Sequence, residues 1–169
     1  MRTSIWLLPD EETAAPLGEA IAEIAQALGA PSFIPHLTVL GEATASGPAL
    51  ALGLEALSCR APLVLRAESL ELSEVYHRAL FLRVRTEPAL LRLREAALGG
   101  LGTHGGAPWI PHVSLLSADL PADEKRPWIA RLASTLPRRL RFTRLCAAYT
   151  TGPVGGWHIR WQGPLVQPS

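Results

Sequence analysis

Apolar residues recur along this chain with two periods, and the switches between them fall at proline, glycine and acidic positions. Residues 3–8 are mostly apolar and read as a short strand ended by Pro9. Asp10, Glu11 and Glu12 place negative charge where a helix should open. Residues 14–28 then carry Ile21, Ile24 and Leu28 at helical spacing, with Gly29 as the stop and Pro16 blurring the start. A strand over 36–40 closes at Gly41, and 48–57 reads as a second helix. Residues 63–72 alternate as a strand, and 79–84 form another with Tyr76, His77 and Arg78 at its entry. A helix over 88–98 opens at Pro88, and the glycine-rich stretch 99–106 reads as a flexible link between lobes. Residues 112–116 predict a strand and 121–136 a fourth helix, with Asp123 and Glu124 in its first turn. Two final strands over 140–150 and 157–161 are joined by a glycine-containing turn. The order β-α-β-α-β-β-α-β-α-β-β predicts an α+β fold of antiparallel sheets flanked by helices.

Size and composition narrow this picture. The 169 residues, 48% of them hydrophobic, suit one domain spanning 1–169 and built of two intertwined lobes. A formal net charge of +1 argues against a surface that coats long polyanions. Small nucleotides or RNA ends therefore fit better than duplex DNA. Lys125 is the single lysine, so positive charge rests on arginine; a GC-rich genome explains that imbalance as readily as phosphate recognition does. Cys59 and Cys146 form no CxxC pair and make neither a metal framework nor a disulfide pattern. No stretch approaches about 18 consecutive apolar residues, and no basic leader precedes an apolar run. The expectation is a cytoplasmic monomer that does not enter membranes.

Candidate chemistry lies in a repeated octapeptide. Phe33-Ile34-Pro35-His36-Leu37-Thr38-Val39-Leu40 and Trp109-Ile110-Pro111-His112-Val113-Ser114-Leu115-Leu116 share the pattern aromatic-Ile-Pro-His-apolar-hydroxyl-apolar-Leu. The histidines lie 76 residues apart (112 minus 36), near half the chain, which suggests a pseudo-symmetric duplication. Strand alternation puts His36 and Thr38 on one face and Leu37 and Val39 on the other; His112 and Ser114 repeat this against Val113 and Leu115. A polar pair on an apolar strand needs partners or a wet cleft. Pro35 and Pro111 place each motif at a strand start or on an edge. With an ordinary pKa near 6.5, one imidazole can take a proton while another gives one. Thr38 and Ser114 can donate to phosphoryl oxygens, so the constellation suits phosphodiester hydrolysis without a metal or other cofactor.

These motifs resemble those of the 2H phosphoesterase superfamily, named for two His-x-Thr/Ser motifs on a bilobal fold. Together with Ser4-Ile5-Trp6-Leu7-Leu8-Pro9, they are similar to its plant and yeast cyclic nucleotide phosphodiesterase branch. The resemblance implies His36 and His112 as the catalytic pair and Thr38 and Ser114 as phosphate ligands, in a central cleft. It favours His112 as base and His36 as acid. The implied substrate is a ribose 2′,3′-cyclic phosphate or ADP-ribose 1″,2″-cyclic phosphate, hydrolysed to a phosphomonoester. Trp6 matches an aromatic residue near the cleft, while Ser117 stands where the plant-like branch has a tyrosine. Two alternatives remain: an RNA-end or 2′-5′ RNA ligase-like activity, and a nucleotide- or RNA-binding module without turnover.

Other signals are weaker. Residues 100–105 fit a GxGxxG string, but follow a helix and precede a strand, the reverse of a dinucleotide-binding turn. His77 reads as a surface-loop residue. If its loop reaches the cleft, Tyr76 and Arg78 become substrate contacts. His104 and His158 have no metal-ligand spacing, and Trp109, Trp157 and Trp161 read as packing residues.

Overall fold

In the computed structural model, residues 2–103 and 108–167 are described. They form seven strands and four helices: β1 (Thr3–Pro9), α1 (Glu11–Leu28), β2 (Leu37–Leu40), α2 (Gly47–Ser58), β3 (Leu63–Leu72), β4 (Leu80–Val84), α3 (Pro88–Leu101), β5 (His112–Leu116), α4 (Ala122–Leu132), β6 (Arg139–Tyr149) and β7 (His158–Pro164). Short 3₁₀ turns occupy Tyr76–Arg78 and Val154–Gly156. The α+β class and the element order follow the expectation.

Local chemistry accounts for the element ends. Asp10 accepts from the Thr13 amide at 2.9 Å, so α1 starts at Glu11, ahead of Pro16. Gly29 closes it at φ 65°, its amide reaching the Ala25 carbonyl. α3 runs three residues past the expected 98, because Leu101 is buried and its carbonyl accepts from the Thr44 and Ala45 amides. The link expected at 99–106 therefore begins only at Gly102; its residues 104–106 lie outside the described residues. α4 stops four residues short of the expected 136. The Thr135 amide and hydroxyl both turn back to the Leu132 carbonyl, and Pro137 disfavours helix at Leu136. β7 continues to Pro164 because β6 offers it partners as far as Arg144.

The strands make one sheet rather than separate ones. Its order is β1-β2-β5-β4-β3-β6-β7, and β6 also pairs with β1, which closes a ring of six strands. The eleven-residue β6 makes this possible: its first part pairs with β3, and its remainder lies between β1 and β7. All pairings are antiparallel.

Strand alternation sorts the side chains. Ile5, Leu7, Leu37, Val39, Leu80, Leu82, Val113 and Leu115 join one hydrophobic core with the helices. Burying that apolar surface is the main stabilising term, at roughly 25 cal/mol per Å². Trp6, Leu8, Cys146 and Ala148 pack separately, on the other face of β1 and β6. Helix α1 packs on β5, and α3 packs on β2. Each motif strand is thus backed by the helix that precedes the other motif strand.

Candidate active site

The two repeated motifs meet because β2 and β5 are neighbours in the sheet, with Leu37 opposite Val113. Neither strand is an edge, so the prolines mark strand starts. Extending the antiparallel register by one residue each way sets His36 across from Ser114 and Thr38 across from His112. Each imidazole therefore neighbours the hydroxyl of the other motif. Further pairings, Trp6 with Thr38 and Arg83 with His112, continue the row onto β1 and β4.

One cavity of about 570 Å³ has His36, Thr38, His112, Ser114, Trp6 and Arg78 in its wall. The two histidines are held alike. His36 Nδ1 donates to the Ile34 carbonyl at 2.8 Å, and His112 Nδ1 donates to the Ile110 carbonyl at 2.6 Å. A carbonyl only accepts, so each neutral ring carries its proton on Nδ1 and leaves Nε2 with a free lone pair.

Around His36, Trp6 stacks on the imidazole at 3.8 Å between ring centroids, tilted by 18°, and Phe33 meets it edge-on at 6.3 Å. The Trp6 indole N–H donates to Ser4 Oγ at 2.7 Å, which donates in turn to the Leu40 carbonyl. Burial pushes the His36 pKa down to about 4; the Ile34 bond opposes this and the charge of His112 adds to it. Burial likewise lowers His112, opposed by the Ile110 bond and assisted by Arg78 and Arg83. Both rings are neutral near pH 7.

The hydroxyls differ. Thr38 makes no side-chain hydrogen bond among the described residues, whereas Ser114 Oγ donates to the His77 carbonyl at 2.7 Å. Arg78 adds a buried Nε with no hydrogen-bond partner there. Thr150 Oγ1 on the same wall is equally unsatisfied. Among the described residues, no group of three or more His, Cys, Asp or Glu could hold a metal ion, and no helix is long and apolar enough to cross a membrane.

The sequence matches no family model. A cyclic phosphodiesterase of Arabidopsis thaliana is 25% identical over 130 residues, covering 73% of this chain and 68% of the relative. TT0787 of Thermus thermophilus has a TM-score of 0.64 at 24% identity, with 100% of each chain covered. LigT of E. coli, solved in complex with 3′-AMP, has a TM-score of 0.59 at 18% identity over 98% of each chain. The chain shares the fold of TT0787 and LigT.

On this shared fold, Tyr76 stands apart from its expected place. The 3₁₀ turn carries it away from the cavity wall and leaves its ring edge-on to His77 at 4.9 Å. His77 is exposed on its turn and Trp157 packs against the Trp6 cluster, as expected, and both also line the cavity, 5.1 Å apart. Their cleft-lining role had no local signal, since both sit at 3₁₀ turns that have no sequence period. Trp6 is at once buried and cleft-lining. Ser117, marked in the sequence as the absent tyrosine, is buried in the same wall. Trp109 donates to the Thr38 carbonyl at 2.9 Å, and Trp161 packs against the core.

Proposed function

We propose that this chain is a metal-independent cyclic phosphodiesterase acting on a ribose-borne cyclic phosphate, with His36 and His112 as its acid–base pair. The observation that carries the reading is two neutral imidazoles on one cavity wall, each fixed through Nδ1 with Nε2 free. The likeness to a cyclic phosphodiesterase supports the reaction class. The 3′-AMP in LigT is a ribose phosphomonoester of the kind such ring opening releases. The substrate class is a 2′,3′-cyclic phosphate on a nucleotide or RNA end, or ADP-ribose 1″,2″-cyclic phosphate. The pseudo-symmetric bilobal arrangement belongs to the same proposal, supported by the shared strand–helix–strand–helix order of β1–α2 and β4–α4.

In this mechanism water attacks phosphorus as its proton passes to one imidazole. The bond from phosphorus to a ribose oxygen breaks, and that oxygen receives a proton from the other imidazole. The resemblance favours His112 as base, but the deeper burial shift of His36 favours the reverse. The acid must carry a proton near neutral pH, and His36, at about 4, is hard to charge. We therefore assign His36 as base and His112 as acid, the latter protonated as the phosphate anion enters. Thr38, Arg78 and a reoriented Ser114 hydroxyl meet the phosphoryl oxygens.

His36→Gln and His112→Gln should each cut kcat by about 10²–10⁴-fold while cyclic nucleotide still binds. A substrate whose leaving ribose oxygen is replaced by sulfur needs little acid assistance. It should restore most of the rate to His112→Gln and none to His36→Gln. Rescue of the other variant would reverse the assignment, and full activity in both variants would remove the site.

A further inference from the structure

Beside the main cleft lies a second cavity of about 400 Å³ whose wall includes Arg2, Thr38, Arg78, Arg94, Trp109 and His112. Thr38, Arg78 and His112 line both cavities, so the two adjoin at the Thr38–His112 pair. We propose that Arg94, with Arg78 shared from the main cleft, forms a second anion subsite that takes a phosphoryl group one ribose away from the cyclic phosphate. This rests on the cyclic phosphodiesterase reading and narrows it to substrates carrying a 5′-phosphate.

Three observations lead there. Neither Arg78 nor Arg94 forms an ion pair among the described residues; the charge of Arg78 still reaches the Glu71 carboxylate, whereas Arg94 has no acidic neighbour that shifts it. A partly desolvated cation such as Arg94 without a counter-charge is costly unless a ligand supplies one. Second, Arg94 is preorganised. Its guanidinium stacks 4.4 Å from the Trp109 ring centroid and donates through Nη1 to the Val39 carbonyl. The Trp109 indole is itself tied to the Thr38 carbonyl, so Arg94 is locked to the motif strand. Burial alone lowers the Arg94 pKa, with no acidic neighbour offsetting it. Third, Arg78 Nε is buried and unpartnered, and its residue faces both cavities. One carboxylate, Glu42, stands on the second wall, but it is engaged by Arg2 at 3.5 Å. Arginine's planar fork suits a phosphoryl group.

The test compares kcat/KM for a nucleoside 2′,3′-cyclic phosphate and the same compound bearing a 5′-phosphate, in wild type and Arg94→Gln. Wild type should prefer the 5′-phosphorylated substrate by about tenfold or more. Arg94→Gln should lose that preference, and Arg94→Lys should recover part of it. A dinucleotide cyclic phosphate, with a diester at the same position, separates a terminal phosphate from an RNA chain as its source. Equal rates for both substrates in wild type, or a preference that survives Arg94→Gln, would overturn the subsite and leave the cyclic phosphodiesterase reading intact. If neither substrate turns over, that reading fails, and calorimetric titration with inorganic pyrophosphate decides the subsite. Binding weakened in Arg94→Gln keeps it; equal binding removes it.

Discussion

His36 combines burial, a stacked tryptophan and a single backbone bond, and the combination has a consequence for stability as well as for chemistry. Its folded-state pKa is about 4, below the ordinary 6.5. Between those values the unfolded chain binds a proton that the folded chain refuses, so stability falls as pH drops through this window and is fully present above it. A gap of this size corresponds to about 3 kcal/mol. His112 is shifted in the same direction and steepens the loss. Urea titrations at pH 7 and pH 4 should show a smaller loss for His36→Gln than for wild type. Parallel losses would mean that His36 is not held neutral by burial. The histidines and hydroxyls were legible from sequence because the same eight-residue context occurs twice, and strand alternation then dictated their common face. The unequal engagement of Thr38 and Ser114 was not legible, since Ser114's acceptor is 37 residues away.

Among the elements, the turn before β4 has most bearing on the site. Lys125 on α4 donates to the Ser73 carbonyl at 2.8 Å, and Ser73 Oγ donates to the Arg78 carbonyl at 2.6 Å. With Ser114 on the His77 carbonyl, three side chains hold a segment that presents His77 and Arg78 to the cleft. Lys125 is buried, so its stem packs while its ammonium makes that bond. Replacing it by methionine keeps much of the packing but leaves the Ser73 carbonyl without this donor, at a cost of about 1–3 kcal/mol. Amides of residues 75–79 should exchange faster in Lys125→Met, and kcat/KM should fall. Unchanged exchange in this segment would show that Lys125 does not position it. The helices and strands were readable in kind because their periods are long enough to register. Their ends depended on contacts with no period: the Asp10 cap, the burial of Leu101 and the convergence on the Leu132 carbonyl.

At the scale of the whole molecule, the sheet has one face turned to the helices and another that carries the cleft, and crossed packing of α1 on β5 and α3 on β2 backs both motif strands. Duplication of the octapeptide hinted that the motifs meet, but the β2–β5 pairing and the arrival of Arg94 beside them are non-local outcomes of the closed strand ring. The near-neutral overall charge fits a cleft whose positive groups are few and placed. The most direct measurement is phosphorus NMR of wild-type protein with a nucleoside 2′,3′-cyclic phosphate in ¹⁸O-labelled water and EDTA. The account predicts conversion to a single phosphomonoester carrying one ¹⁸O on phosphorus, with the signal of the cyclic substrate persisting in His36→Gln and His112→Gln. Loss of turnover in EDTA that added metal restores, or conversion that survives both substitutions, would contradict it.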